Sequence, residues 1–306
     1  MTTSDRTVVI TGGTSGLGHE CARTLAEDPR WTVVITGRDA DRARAIAAPI
    51  GARAAALDLG SLASVAHFAA ALRHEGLPPL RALVCNAGLQ FTRRSYTEDG
   101  VEATFGVNHL GHLALVRALS DDLTGPARIV FVSSGTHDPD QRTGMPDPLS
   151  ATTRELAYPM AATESDQRDG RRRYSTSKLT NVQTAYELAR RLEPRGITVN
   201  AFDPGLMPGT RLARDAGKVG QLLWRTAARA LIALPGVHTP RTSGADLAWL
   251  VTDPAVTEVT GRYFVGRTER PSSAASYNLE AQHALYTDSI ELLDELAAGA
   301  VHPEHS

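Results

Sequence analysis

Tyr174 and Lys178 stand four residues apart in "YSTSK", and Lys178 is one of only two lysines in a chain whose Lys and Arg total 32. Arginine is the default cation here, so an ammonium at this place asks for a chemical reason. The downstream run "LTNVQTAYELARRLE" has helical period, which puts the two side chains on one face with Cβ atoms about 6 Å apart. A free phenol titrates near 10. A cation within about 4–6 Å lowers an acidic group by roughly 1–3 units, which would bring Tyr174 toward the range in which general acid/base catalysis works. Lysine suits the task because its compact ammonium can offer three donors to a diol while staying near the phenol, a geometry that the planar arginine fork does not fill. With seven tyrosines and two lysines, chance would supply such a pair on the order of 0.05 times in this chain, so a mere surface pair is the weaker reading.

A second constellation lies near the N-terminus. The run "TGGTSGLGHECARTLAE" places Gly12, Gly16 and Gly18 between a β-branched segment and a helical one. Glycine lets the backbone turn sharply and approach a pyrophosphate, and the following helix offers free N–H groups and a positive dipole end. Dinucleotide binding is the favoured reading over an ordinary tight turn. About 20 residues on, where an acidic residue would bond a ribose 2′-hydroxyl, the chain reads "TGRDADR". Arg38 can grip a 2′-phosphate with two bonds and Ser15 can add a hydroxyl, so NADP(H) is expected rather than NAD(H). The plainer alternative makes Arg38 a solvated loop residue and Asp39 the cap of the next helix.

These residues need a scaffold. Seven short apolar runs, 6–11, 31–36, 53–59, 81–86, 127–134, 196–202 and 261–265, alternate with Ala/Leu-rich helical segments. Because the runs are apolar throughout, they suit strands covered on both faces: an α/β, Rossmann-type doubly wound parallel sheet of about seven strands. One domain over 1–306 is expected, with a loop-rich insertion at 135–173, an amphipathic substrate lid at 206–240 and a helical tail at 266–306. A net charge of −2 gives no general attraction to nucleic acid. No stretch reaches the length of a membrane span, and no basic segment leads into a signal-type core, so a cytoplasmic protein is expected. Cys21 and Cys85 are too few for a disulfide framework or structural zinc, and no metal is expected; they read as buried reduced thiols.

Taken in order, "TGGTSGLG", "LVCNAG", "VNHLGH", "VSS", "YSTSK" and "DPG" resemble the short-chain dehydrogenase/reductase family over about residues 5–265. The forms "CNAG", "VNHLGH" and "DPGLMPGT" look most like the branch containing retinol dehydrogenases and protochlorophyllide reductases. The resemblance implies that Tyr174 protonates a carbonyl oxygen, Ser134 holds that oxygen, Lys178 binds the nicotinamide ribose and Asn108 holds a water in a proton relay. It implies a coenzyme site of Gly12, Thr14, Ser15, Gly16, Leu17, Gly18, Arg38, Asp58, Leu59, Asn86, Ala87, Gly88, Pro204, Gly205 and Thr210, besides Tyr174 and Lys178. Asp58 would meet the adenine amino group, and Thr210 the carboxamide. Family members are commonly dimeric or tetrameric. Two departures stand out: Cys85 replaces the first Asn of the usual Asn-Asn-Ala-Gly, and 40 residues separate Ser134 from Tyr174. Ser133 is the neighbour to weigh, but strand alternation sends it to the opposite face.

The pocket roof is expected from 136–160 and 206–240, with His137, Leu206 and Trp224 as substrate contacts, although a loop histidine without a chemical task is the commoner case. Such walls suit a sizeable, largely apolar carbonyl compound or alcohol. The run Arg171–Arg173 reads as a solvated face. Two other readings stay open: an NADP(H)-sensing module without turnover, and an epimerase or dehydratase on the same scaffold.

Overall fold

The computed structural model describes residues 4–160, 164–207 and 238–299. Eight strands form one sheet: β1 (Arg6–Ile10), β2 (Trp31–Gly37), β3 (Arg53–Ala56), β4 (Leu80–Cys85), β5 (Leu123–Val132), β6 (Ile197–Asp203), β7 (Tyr263–Val265) and β8 (Thr268–Glu269), in spatial order 3-2-1-4-5-6-7-8. Neighbours are parallel except β8, which pairs antiparallel to β7. The expected parallel sheet is present, with this two-residue edge strand added. Two residues carry too little pattern to be seen in sequence.

The unbroken apolar character of the runs has a direct cause. Along β5, Ile129 and Phe131 enter one core while Val130 and Val132 enter the other; along β1, Val9 goes one way, Val8 and Ile10 the other. Every residue of a doubly covered strand faces a core, so alternation disappears. The helices that supply the cover are α1 (Gly16–Ala26), α2 (Ala40–Ala47), α3 (Leu62–His74), α4, α5 (Asp166–Leu192), α6 (Pro240–Thr252) and α7 (Leu279–Ala297). In α4, segments Ala103–Phe105 and Gly111–Leu119 flank a π-helical turn, Gly106–Leu110.

The long helix α5 is buried along most of its length from Arg173 to Ala189. Its small hydroxyl residues are tolerated there because they bond back to their own helix: Thr176 Oγ1 donates to Arg172 O (2.8 Å), Ser177 Oγ to Tyr174 O (2.8 Å) and Thr180 Oγ1 to Ser177 O (2.9 Å). The helix begins eight residues before Tyr174, so 166–173 belong to it and not to the expected insertion. The rest of that segment is partly ordered, with 3₁₀ turns at Gly135–His137 and Pro139–Gln141 and a short helix, Thr153–Ala157, started by a Thr152/Glu155 capping box. Most of the lid expected at 206–240 lies outside the described residues. Cys21 and Cys85 are buried free thiols, and burial pushes both upward in pKa. Among the described residues no helix is long and apolar enough to cross a membrane.

Candidate active site

The strand order reverses between β1 and β4, and the crevice at their carboxyl ends is where an open α/β sheet binds ligands. A cavity of about 520 Å³ at the opposite end, lined by Arg6, Arg30, Arg81 and Arg128, is a brace rather than a reaction site: its guanidiniums are taken by Asp5, Asp28 and the carbonyls of Gly125, Leu250 and Asp253.

At the crevice, Gly12 and Gly16 adopt positive φ (65° and 58°), a region that side chains rarely enter. A Cβ on Gly18 would lie 2.4 Å from Asn86 Nδ2. That closeness has a purpose, since the Asn86 amide donates to Thr11 O (2.7 Å) and Thr11 Oγ1 accepts from the N–H groups of Asn86 and Ala87, both at 2.9 Å. The glycine loop after β1 is thereby tied to the loop after β4. Ser15 stands at the N-terminus of α1 with no side-chain capping bond, exposed, as is Arg38 at the end of β2. Asp39 caps α2 by accepting from Arg42 N (3.0 Å). Thr14 packs against Gly37. Leu17 and Leu59 are buried in the cores, leaving only their main chains for a ligand. Asp58 Oδ1 accepts from Gly60 N (2.9 Å), so this carboxylate also closes a turn.

Gly88 links this end to the other: its absent Cβ would sit 3.4 Å from Lys178 Nζ and 3.6 Å from Asn108 Oδ1. Ser134 is near enough to the Tyr174 phenol to lower its pKa, and Lys178 Nζ lies 5.4 Å from the phenol ring centroid while donating to Val132 O (3.1 Å). Ser133, one residue from Ser134, donates to Lys178 O (2.9 Å). Asn108, fully buried in the π turn, donates to Leu89 O (2.9 Å) and Ser177 Oγ (3.0 Å) and accepts from Leu89 N (2.8 Å). Both amide hydrogens are therefore used. What remains for a water is the second lone pair of Oδ1 and one of its main-chain carbonyl, which already accepts from His112 Nδ1 (3.0 Å).

The charges differ from expectation in one respect. The sequence predicts that Lys178 pulls Tyr174 down, but burial, followed by the carboxylate of Asp203, raises the phenol, and only the Ser134 hydrogen bond opposes them. Lys178 itself is lowered to about 8 by burial, with Asp203 acting against that shift. Near and above pH 8 part of Lys178 is therefore neutral, and the uncharged amine does not acidify the phenol.

Three further expectations meet the structure differently. His137 is fully buried, with Nδ1 donating to Ser134 O (2.8 Å) and Nε2 accepting from Ser273 N (3.1 Å), so it has no nitrogen left for a substrate and serves as a strut. Leu206 is 53% exposed, next to Pro204 and the positive-φ Gly205; Thr210 and Trp224 lie outside the described residues. The arginine run is not a solvated face. Arg173 is buried against Glu102 and Asp169, Arg172 pairs with Glu164 (3.1 Å), and Arg171 donates to Gly144 O (2.6 Å). Sequence reasoning also missed His112. Its Nε2 accepts from Thr11 Oγ1 (2.8 Å), and burial lowers it to about 4, so the neutral ring connects the glycine loop to Asn108. The signal was available: His112 follows Asn108 by four, on the same helix face.

The short chain dehydrogenase family profile matches residues 6–142. The chain is 34% identical over 316 residues to protochlorophyllide reductase A of Oryza sativa subsp. japonica, covering 96% of this chain and 81% of that one. It is 31% identical over 297 residues to retinol dehydrogenase 13 of Homo sapiens, covering 94% and 84%. A solved short chain dehydrogenase from Burkholderia cenocepacia J2315, in complex with NADP, superposes with a TM-score of 0.63 at 27% identity, covering 86% of this chain and 96% of that one. With relatives of this kind aligned over nearly its whole length, the chain belongs to the short-chain dehydrogenase/reductase family of nicotinamide-dependent oxidoreductases.

Proposed function

We propose that the protein is an NADP(H)-dependent oxidoreductase acting on the carbonyl or alcohol group of a medium-to-large, largely apolar small molecule. The observation that carries this reading is the Lys178 ammonium 5.4 Å from the centre of the Tyr174 ring, with Ser134 near enough to the phenol to lower its pKa. The crevice fits a dinucleotide: space is open beside Gly16, and Ser15 and Arg38 are exposed at its rim. Gly12, Thr14, Ser15, Gly16, Leu17 and Gly18 would hold the pyrophosphate, Asp58 and Leu59 the adenine, Asn86, Ala87 and Gly88 the adenosine side, Pro204, Gly205 and Thr210 the nicotinamide. When bound, the nicotinamide supplies or accepts a hydride. Ser134 donates a hydrogen bond to the substrate oxygen, and Tyr174 gives that oxygen its proton or takes it back. Lys178 reaches past Gly88 to ribose hydroxyls and adds positive charge near the developing alkoxide. Asn108 holds Leu89 and Ser177 in place and offers its carbonyl to a relay water.

A panel of carbonyl compounds followed by NADPH absorbance tests the assignment. Turnover of larger apolar ketones or aldehydes is expected; no oxidation of NADPH by any carbonyl, and no reduction of NADP by the matching alcohols, would remove it. Arg38→Ala is expected to weaken NADP(H) binding by about 1.5–3 kcal/mol, the value of a charged hydrogen bond, and to leave NAD(H) nearly unchanged. Equal wild-type affinity for the two coenzymes, read by titration, would overturn the NADP preference. Lys178→Arg is expected to lose most activity although the charge survives, because the planar guanidinium overfills the space bounded by Val132 O and Gly88. A wild-type kcat in that variant would mean that charge alone is needed.

A further inference from the structure

The ring of His112, on α4 four residues after Asn108, is fully buried with a polar partner at each nitrogen. Nε2 lies 2.8 Å from Thr11 Oγ1, and Nδ1 lies 3.0 Å from Asn108 O. These partners fix which nitrogen carries the proton. Asn108 O is a carbonyl and only accepts, so Nδ1 bears hydrogen. Thr11 Oγ1 already accepts from the N–H groups of Asn86 and Ala87, both at 2.9 Å, which fills its two lone pairs. All it has left to offer is its own hydrogen, and Nε2 must be bare to receive it. The competing acceptor, Val84 O, is farther away at 3.2 Å and already takes the Thr11 N–H (3.0 Å). A doubly protonated ring would press an N–H against a hydroxyl oxygen with no lone pair free. Burial, with the Lys178 charge added, acts in the same sense and lowers the ring to about 4, although its bond to the Asn108 carbonyl pulls the other way. Lys178 from α5 and His109 from the same helix, itself kept neutral by burial, are the titratable groups that face it.

We propose that His112 is a positioning residue for proton exchange at the active site: locked as the Nδ1–H tautomer by the Thr11 hydroxyl, it holds the Asn108 carbonyl so that the lone pair left over can take a relay water. This rests on the reductase reading above and names the side chain on which its relay depends. The need for a hold is local. Asn108 sits in the π turn, where the Gly111 N–H bonds five residues back to Gly106 O, and such a turn interrupts the regular helix ladder. Within it, the His112 ring fixes the Asn108 carbonyl from one side, while Leu89 and Ser177 pin the Asn108 amide from the other. The far end of the ring meets the same Thr11 hydroxyl that ties the glycine loop to the loop after β4. One neutral ring thus joins the loop proposed to hold the pyrophosphate to the carbonyl proposed to hold the water.

Two variants separate this role from packing. His112→Asn keeps an amide N–H at the δ position, able to donate to Asn108 O, but leaves a void where the outer ring stood; His112→Phe fills the space and donates nothing. In both, the Thr11 hydroxyl can turn to Val84 O. Were the ring only filling space, Phe would be the milder change. The reverse is expected: kcat for carbonyl reduction about tenfold lower in His112→Phe, the worth of one well-placed hydrogen bond, and within about threefold of wild type in His112→Asn. The solvent deuterium effect on kcat should be larger in the Phe variant, because return of the proton has slowed. The Kd for NADPH, from fluorescence titration, should move by less than about threefold in either. A kcat in His112→Phe equal to or above that of His112→Asn overturns the proposal, as does a Kd that rises in step with the loss of kcat. In coenzyme-free wild-type protein labelled with ¹⁵N in histidine, the ring signals that His112→Asn removes should show Nδ1 protonated and Nε2 bare from neutral pH down to about 4. A proton on Nε2 at pH 7 removes the tautomer and the proposal with it. That spectrum needs neither coenzyme, turnover nor a folded Phe variant, so failure of the reductase reading and failure of this one are separate results.

Discussion

Tyr174→Phe is expected to lower kcat for carbonyl reduction by about 10²–10⁴-fold, the usual contribution of a positioned proton donor, while coenzyme affinity stays within a few fold. The phenylalanine ring preserves the packing of a side chain that is 7% exposed and removes only the oxygen. Ser134 would still hold the substrate carbonyl, and Lys178 would still sit against the crevice through Val132 O. The loss should therefore fall on the chemical step, not on binding. Single-turnover rates beside a fluorescence titration of NADPH separate the two. If the variant keeps a rate within tenfold of wild type, the proton comes from elsewhere and the assignment of Tyr174 fails; if coenzyme binding collapses in parallel, the hydroxyl serves binding and not the chemical step.

Arg173→Met is expected to destabilise the fold by about 3 kcal/mol, at the low end of the range for breaking a buried ion pair. Arg173, Glu102 and Asp169 are 6%, 1% and 8% exposed. Glu102 caps α4 by accepting from the N–H groups of Thr104 (3.0 Å) and Phe105 (2.9 Å), and Asp169 keeps a second cation in Arg94 (3.2 Å). Those remaining bonds place the expected cost at the low end. What the guanidinium does is join the start of α4 to the start of α5, one residue ahead of Tyr174. Urea unfolding measures the cost, and Glu102→Gln in the Arg173→Met background should recover part of it, because an uncompensated buried carboxylate is then neutral. A single variant within about 1 kcal/mol of wild type would show that packing alone sets the start of α5.

The contrast between these two positions marks what could be read from residue order. Tyr174, Lys178 and the glycine loop are local patterns, and local patterns survive in a sequence. The choice of Ser134 over Ser133 followed from strand alternation, and the Ser133 hydroxyl is taken by Lys178 O. The use of Arg173 did not, because its partners lie 71 residues away and four residues away, and only the fold reveals that the first of these is near. The same holds for His137, whose second nitrogen is met by Ser273, 136 residues on. Asp203 was visible only as the first letter of a motif. Burial, with Asp203 second, reverses at Tyr174 the sign expected from Lys178 alone, since spacing in a helix reports which groups are neighbours but not how much water each has lost.

Finally, the bonds from Asn86 and Ala87 to Thr11 bear on how a nucleotide enters. The cradle for a diphosphate has its shape before any guest arrives, stitched across two strands by one amide and one hydroxyl. Arrival of the guest then freezes little of the host, and the ordering loss of about 0.5–1.5 kcal/mol for each side chain immobilised on association is largely absent from the affinity. Cutting the stitch with Asn86→Ala should thus show first as slower capture and weaker retention of the dinucleotide, ahead of any change in the chemistry that follows.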